Sequence, residues 1–292
     1  MNHRLKNTDL EIQVNQTGME LSSIRSITSG KEYLWQGNPT FWAGQAPVLF
    51  PIIGALKDGQ TLIRGKKYSM PKHGIVRNSE KPVLKAKNEN SLLFSLKWDE
   101  ESLKYYPFKF ELEIEFTLDG KTLEVVHTIS NHGDEPMFYS IGAHPAFNCP
   151  LNENEVYEDY YLEFEQTEND STWEVELSGL IGLDQKPVLN NTSILPLHKK
   201  IFEHDALIFK RLKSRKVTLK HQTEGSILAV DFDDFYYLGL WAKPGAPFIC
   251  IEPWLGIADS IDSQQKFEEK EGIMELLAGK KDVKTYSITI FE

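Results

Sequence analysis

Hydrophobic and polar residues alternate in many short stretches of this chain. The clearest stretch is FELEIEFTL at 110–118, which has apolar side chains on one face and three glutamates on the other. Asp119-Gly120 follows, a dipeptide typical of tight hairpin turns, and KTLEVVHTIS at 121–130 returns after it. Because successive side chains of a strand point to opposite faces, this region predicts an antiparallel hairpin with one buried and one wet face.

The same alternation recurs along the chain, whereas helical periodicity is weak. The best helical candidate is 269–280, and it is interrupted by two glycines. We therefore expect helix in less than about 15% of residues, compared with roughly a third in ordinary domains. Many short strands joined by turns predict an all-β fold, a large antiparallel sandwich that spans 1–292 as a single domain. Further strand candidates are 160–165, 216–220, 226–232, 236–242, 247–252 and 284–291.

Composition and charge narrow the function classes. The chain has 292 residues, 40% hydrophobic and 26% charged, which is typical of a soluble globular protein. The N-terminal stretch lacks the apolar segment of a secretory signal, so we expect a cytoplasmic protein. A net charge of −11 argues against nucleic acid and against a membrane surface as partners. Two cysteines, Cys149 and Cys250, are too few for a disulfide framework, and we expect both to be buried thiols.

One segment runs against the acidic average. Between residues 55 and 77 there is a single acid, Asp58. The basic residues of this segment are Lys57, Arg64, Lys66, Lys67, Lys72 and Arg77. One interpretation is a solvated hairpin with lysine-rich edges. The other is a local site for an anionic group.

The stretch APFICIEPWLG places one acid at the end of an apolar run. Glu252 follows Ile251 and precedes Pro253 and Trp254. In the preceding strand candidate, Gly239 and Trp241 share a face, so a carboxylate, an indole and open space are expected to meet. Such a surface suits a sugar, whose C–H patches stack and whose hydroxyls form hydrogen bonds. It is also common at structural strand ends.

Two histidines and one aspartate are further candidates for chemistry. His144 lies in SIGAHPAFNCP beside small residues, and His73 lies in PKHGIVRN. Imidazole exchanges protons near neutral pH, although either ring is equally consistent with a buried structural histidine. Asp205 directly precedes an apolar strand candidate, where its carboxylate can point into a site. The chain has no H-E-x-x-H helix and no H-x-H pair, so we expect no metal site.

Five stretches, in order between residues 35 and 260, resemble the aldose 1-epimerase (galactose mutarotase-like) family, and within it the branch of LacX-type bacterial proteins. They are WQGNPTFWAGQAPVLFPIIGALKDG, YSMPKHGIVRN, SIGAHPAFNCP, FEHDALIF and LGLWAKPGAPFICIEPWLGIADS. The resemblance implies an antiparallel β-supersandwich with an open sugar cleft. It also implies interconversion of the α and β anomers of an aldose, without metal or nucleotide cofactor.

The resemblance also implies roles for individual residues. Glu252 would be the general base and His144 the general acid. His73 and Asp205 would hold substrate hydroxyls or the ring oxygen, and Trp241 would offer a flat surface to the sugar ring.

The chain departs from the family pattern at Ala55, where relatives usually carry a sugar-contacting arginine. Lys57, Arg64 and Arg77 are the candidates to replace it, and we include Lys57 and Arg77 among the expected binding residues.

Three alternatives to a hexose mutarotase stay open. The first is a non-catalytic sugar-binding or sensing protein with the same cleft, which would not need an acid–base pair. The second is an epimerase for a phosphorylated hexose. The third is a glycosidase that uses Asp205 and Glu252, which leaves His144 without a role.

Overall fold

The computed structural model describes residues 1–292. About 51% of the residues are in strands and 5% in helix, which confirms the expectation of an all-β fold with less than about 15% helix. The strands are β1 (Asn2–Lys6), β2 (Leu10–Asn15), β3 (Glu20–Ser26), β4 (Val48–Leu49), β5 (Gln60–Ile63), β6 (Lys66–Ser69), β7 (Val83–Lys87), β8 (Ser91–Lys97), β9 (Phe110–Asp119), β10 (Thr122–Asn131), β11 (Met137–Tyr139), β12 (Ile141–Ala143), β13 (Ala146–Asn148), β14 (Tyr160–Val175), β15 (Ile181–Pro196), β16 (Leu207–Phe209), β17 (Lys216–His221), β18 (Gly225–Asp231), β19 (Tyr237–Trp241), β20 (Phe248–Leu255), β21 (Met274–Leu276) and β22 (Lys281–Ile290).

The helical residues lie in five single-turn 3₁₀ helices. These are Thr17–Met19, Lys57–Gly59, Ser102–Lys104, Tyr157–Asp159 and Phe267–Glu269. None of them has the length or the apolar character that a membrane-crossing helix requires.

Two large sheets form the body of the fold. The nine-stranded sheet has the order β15-β14-β17-β18-β22-β10-β9-β8-β7. The six-stranded sheet has the order β16-β19-β20-β12-β4, with β13 also paired to β20. The strand pairs of both sheets are antiparallel. Three smaller sheets, β1-β2-β3, β5-β6 and β11-β21, complete the structure.

The predicted hairpin is β9 and β10, which pair from Asp119↔Thr122 at the turn to Phe110↔Asn131 at the far end. Its apolar face is buried in a continuous core. Leu240 of β19 and Ile251 of β20 belong to the same core. The two large sheets therefore pack their apolar faces together, as the alternating pattern predicts.

The structure differs from the pattern in two places. The weak helical candidate at 269–280 contains β21 instead, because Gly272 and Gly279 adopt positive φ values of 71° and 69° that interrupt any helix. The predicted strand at 160–165 extends to Val175, and β15 pairs with it although no strand was expected there.

A second, smaller apolar cluster lies apart from the main core. It consists of Leu49, Ile53, Ile181, Ile208, Trp254, Ile257 and Ala258. Strands of the six-stranded sheet supply several of these residues, and Ile181 comes from the start of β15. The connection 176–180 between β14 and β15, called the hairpin tip below, therefore reaches the six-stranded sheet. The candidate site lies at this junction.

Candidate active site

A cavity of about 300 Å³ opens beside the smaller apolar cluster. The six-stranded sheet, the 71–77 loop and the hairpin tip contribute to its wall. Six of the seven residues predicted from the sequence line it, although they come from distant parts of the chain. They are His73, Arg77, His144, Asp205, Trp241 and Glu252.

Strand β20 delivers Glu252 to the cavity from the middle of the six-stranded sheet. Every residue of this strand is buried, and Glu252 pairs with Gly239 of β19. Two residues further on, the Trp254 indole covers Gly239 and Gly142. A Cβ atom at Gly239 would lie 2.6 Å from the indole, and one at Gly142 would lie 2.7 Å from it. The two glycines therefore make room for Trp254 beside the acid.

Glu252 and His144 form a close, buried pair. The Nε2 atom of His144 lies 3.3 Å from the Oε2 atom of Glu252, and the two residues are 8% and 1% exposed. The pair lacks hydrogen-bond geometry, and Glu252 Oε2, His144 Nδ1 and Trp254 Nε1 have no hydrogen-bond partner. Unsatisfied buried polar atoms are rare in native proteins, because each one costs about 1–3 kcal/mol. Three of them at one place indicate a site built to receive polar groups.

Burial determines where the pair holds its proton. Burial raises the pKa of Glu252 well above its usual range, and the positive charge of Lys72 opposes this shift. Burial lowers the pKa of His144 to about 3, and the charges of Arg77 and Lys72 act in the same direction. The low-dielectric surroundings therefore favour a neutral carboxyl beside a neutral imidazole, a pair that shares one proton.

His73 is held in a strained backbone conformation, with φ at +68°. Its Nδ1 atom accepts a hydrogen bond of 3.2 Å from the Gly54 N–H, which assigns the ring proton to Nε2. Burial, followed by the charges of His144 and Lys72, lowers the pKa of His73 well below its usual value. This ring is therefore a neutral hydrogen-bond donor on the cavity wall.

Asp205 lies at the exposed rim of the cavity. Its φ of +86° is unusual for a residue with a side chain, and its Oδ1 atom accepts a 2.7 Å hydrogen bond from the Ala206 N–H. Such backbone strain concentrates at functional sites. The second carboxylate oxygen has no hydrogen-bond partner within the protein and is available to a ligand.

Aromatic rings enclose His144. The Trp42 ring stacks on the imidazole with centroids 4.8 Å apart and an interplanar angle of 25°. Trp241 meets the same imidazole edge-on at 5.8 Å. Trp42 was not predicted as a site residue, since no alternation marks its segment. Its only signal was its place in the first of the five family-like stretches.

The basic segment divides into two groups. Lys57, expected in the site, lies outside the cavity lining, because its Nζ atom is held by a 3.2 Å hydrogen bond to the Ser263 carbonyl. The structure therefore does not bring Lys57 together with the other predicted site residues. Arg64 also lies elsewhere and pairs with Glu135.

Lys72 and Arg77 do line the cavity, and neither takes part in an ion pair within the chain. Lys72 belongs to the basic segment for which the sequence offered an anionic-group site as one interpretation. A Cβ atom at Gly179, in the hairpin tip, would lie 3.5 Å from the Ala55 methyl group and 3.7 Å from the Lys72 ammonium. Lys72 thus brings a positive charge close to Ala55, the position at which relatives usually carry arginine.

His144, Cys250 and Glu252 place three potential metal-ligand atoms within 4.8 Å of one another. Zinc binds cysteine as the thiolate. Burial and the nearby Glu252 raise the pKa of the Cys250 thiol well above its usual value, which opposes thiolate formation. Cys149 and Cys250 are both free and buried, as the sequence predicted.

The family model for aldose 1-epimerase matches residues 1–270 of this chain. The chain belongs to the aldose 1-epimerase family. Two relatives in this family, the plasmid and chromosomal LacX proteins of Lactococcus lactis subsp. lactis, are 42% identical over 299 aligned positions that cover 99% of each chain.

Solved structures show the same fold. A galactose mutarotase related enzyme from Lactobacillus acidophilus is 30% identical, with a TM-score of 0.93 over 100% of this chain and 98% of that one. A galactose mutarotase-like protein from Lactobacillus casei is 27% identical, with a TM-score of 0.93 over the whole of both chains. The predicted mutarotase-like supersandwich and the resemblance to LacX-type proteins are therefore confirmed.

Proposed function

We propose that this chain is an aldose 1-epimerase that interconverts the α and β anomers of a hexose by acid–base ring opening and closure. The observation that carries the proposal is the buried pair of Glu252 and His144, whose unsatisfied atoms lie in a cavity large enough for a small ligand. A protein that only binds sugar has no need of a proton-exchanging pair at this position.

In the proposed reaction the Glu252 carboxylate removes the proton from the anomeric hydroxyl. The electrons left on that oxygen form the C1=O double bond as the bond between C1 and the ring oxygen breaks. The imidazolium of His144 gives its proton to the departing ring oxygen. Rotation about C1–C2 turns the other face of the aldehyde toward the ring oxygen, and the reversed proton transfers close the ring as the opposite anomer.

The electrostatics of the pair suit this cycle. Ring opening converts a carboxylate and an imidazolium into a neutral carboxyl and a neutral imidazole. Burial favours the neutral forms of both groups, since it raises the pKa of Glu252 and lowers that of His144. Passage of the shared proton from Glu252 to His144 as the sugar binds produces the charged forms that begin the cycle, and ring opening returns both groups to the neutral forms that burial favours.

The remaining cavity residues position the sugar in this proposal. The Nε2–H group of His73 donates to the ring oxygen or a neighbouring hydroxyl, and the free oxygen of Asp205 accepts from a hydroxyl at the rim. Trp42 and Trp241 offer flat apolar faces to the C–H patches of the ring. Sugar orientation by hydrogen bonds and stacking then brings the anomeric hydroxyl to Glu252 and the ring oxygen to His144.

The direct test is the rate of anomer exchange. Purified protein is added to freshly dissolved α-glucose and α-galactose, and the approach to equilibrium is followed by polarimetry or exchange NMR. We expect acceleration in proportion to protein concentration, and no acceleration by Glu252→Gln. A protein that binds these sugars yet leaves the spontaneous rate unchanged would be a binding or sensing protein, and the proposal would be rejected.

A further inference from the structure

Two cations without ionic partners line the cavity of a strongly acidic protein. The chain carries a net charge of −11, yet Lys72 and Arg77 face the cavity without an acidic partner. Arg64 of the same basic segment is paired with Glu135, and Lys57 is bonded to a carbonyl. The two unpaired cations are therefore a feature of the cavity, rather than of the segment as a whole.

Exposure distinguishes the two ends of the cavity. Glu252 and His144 are 1% and 8% exposed and form its floor, whereas Lys72 is exposed and Arg77 partly exposed. The Lys72 ammonium approaches the hairpin tip, 3.7 Å from where a Cβ atom of Gly179 would lie. The short side chains at Ala55 and Gly179 leave space beside this ammonium. A sugar whose anomeric carbon lies at this floor leaves its remote hydroxyls on the side where the cavity opens and where Lys72 and Arg77 are exposed.

We propose that Lys72 and Arg77 form a subsite for a phosphate group on the sugar hydroxyl remote from the anomeric carbon, so that the substrate is an aldohexose 6-phosphate. This inference rests on the proposed function, since it takes the Glu252–His144 pair as the place of the anomeric carbon. A phosphate monoester carries a charge of about −1.5 to −2 at neutral pH, which two cations neutralise. Arginine and lysine are the side chains that most often bind phosphate oxygens.

The one carboxylate at the rim bears on this assignment. Asp205 lines the same cavity and is exposed. It belongs to the loop before β16, whereas both cations belong to the 71–77 loop. A phosphate held by Lys72 and Arg77 leaves Asp205 to accept from a hydroxyl of the ring. The carboxylate then selects against a second anionic substituent on its own side.

The test is a binding measurement with wild-type protein, since sugars already at anomeric equilibrium undergo no net reaction. Calorimetric titrations compare glucose and galactose with their 6-phosphates and with the matching uronic acids, at low and at high salt. We expect the 6-phosphates to bind at least about 10-fold more tightly than the free sugars at low salt. The preference should shrink as salt is added, because screening weakens exposed charge interactions.

Three variants test whether Lys72 and Arg77 cause the preference for 6-phosphates. Lys72→Met and Arg77→Met should each remove most of it, while Lys67→Met, an exposed lysine outside the cavity, should retain it. Equal affinity for free and phosphorylated sugars would overturn the inference, as would a preference that survives both cavity substitutions. Uronic acids that bind as tightly as the 6-phosphates would overturn the assignment to phosphate. Selective binding of 6-phosphates without faster anomer exchange would support the subsite and reject the epimerase proposal.

Discussion

Two buried acid–base pairs lie within this fold, and they differ in how completely their polar atoms are satisfied. Asp259 and Lys270 are 4% and 2% exposed at their side chains and are joined by a 2.8 Å hydrogen bond. The other oxygen of Asp259 accepts a 2.9 Å bond from the Lys57 N–H. Glu252 and His144 are equally buried, but they lie 3.3 Å apart and each has an unsatisfied atom. Burial of charge alone therefore does not distinguish a structural pair from a reactive one.

The two pairs differ in what surrounds them. The Asp259 N–H donates to the Ala55 carbonyl, and the Asp259 carbonyl accepts from the Ile181 N–H. The satisfied pair thus fastens two segments of the cavity wall, whereas the unsatisfied pair faces the cavity itself. A folded protein retains unsatisfied buried atoms at a cost in stability. We infer that the protein tolerates this loss of stability at Glu252 and His144 because a bound substrate supplies the missing hydrogen bonds.

Breaking the satisfied pair should produce the largest effect on stability. Lys270→Met leaves Asp259 buried without its cation, which costs about 3–5 kcal/mol in the free energy of unfolding. Chemical denaturation measures this loss, and anomer exchange at low temperature should persist. The control is Lys266→Met, which removes an exposed lysine paired with Glu269 and should leave stability close to wild type.

The double variant Asp259→Asn with Lys270→Met should recover part of the loss, because it removes the uncompensated charge. If Lys270→Met cost no more stability than Lys266→Met, the structural role of the pair would be refuted.

Substitutions in the unsatisfied pair, Glu252 and His144, should lower activity and leave stability almost unchanged. Glu252→Gln and His144→Asn should each lower kcat by about 10²-fold or more, since each removes one proton-transfer group. Stability should change little, because burial already favours the neutral carboxyl that glutamine resembles. The double variant should lose less activity than the product of the single losses, as expected for groups that act as a unit. Wild-type rates in either single variant would separate Glu252 and His144 from the reaction.

A substitution that disturbs the packing of Trp254 beside Glu252 should have an intermediate effect on stability and on kcat. Gly239→Ala introduces a methyl group 2.6 Å from the Trp254 indole, an overpacking that costs about 1–3 kcal/mol. Displacement of Trp254 and Glu252 should also lower kcat by about 10-fold or more. Gly133→Ala, whose added methyl group meets a single neighbour, the Asn131 Oδ1 atom at 3.2 Å, is the matched control. Equal behaviour of the two variants would show that Trp254 does not position the acid.

The smallest expected effect is that of pH near neutrality. Falling pH adds a second proton to the pair only as it approaches the His144 pKa of about 3. Rising pH removes the shared proton only above the raised pKa of Glu252. The one-proton form persists between these limits, so kcat/KM should stay flat as pH falls from neutrality to about pH 5. An inflection near pH 6.5 would instead indicate a histidine with an ordinary pKa.

Some parts of the fold were predictable from the sequence because their signals are local. The alternation at 110–118 and the Asp119-Gly120 turn predicted β9 and β10 with their correct pairing. Strand β15 gave no such signal, since most of its residues are exposed and Pro187 interrupts its middle. Its pairing with β14 depends on contacts that no period along the chain reveals.

The site shows the same division. Glu252 was predictable because an acid in an apolar run has few uses other than a site or a buried pair. Lys57 lies outside the cavity and Lys72 lines it, although both are lysines of one basic segment. The hairpin of β5 and β6 lies between them along the chain, and no local pattern shows which of the two lysines reaches the cavity. Trp42 was missed for a related reason, because its stacking on His144 joins segments about a hundred residues apart.

The Trp254 indole between Gly142 and Gly239 has a consequence for sequence divergence within this family. The three positions share one fixed volume across three neighbouring strands, β12, β20 and β19. A smaller residue at 254 leaves a void that a side chain at 142 or 239 can fill, whereas a side chain added at either glycine excludes the indole. Substitutions at these positions should therefore be tolerated in combination and rejected singly, and the three columns should covary among relatives.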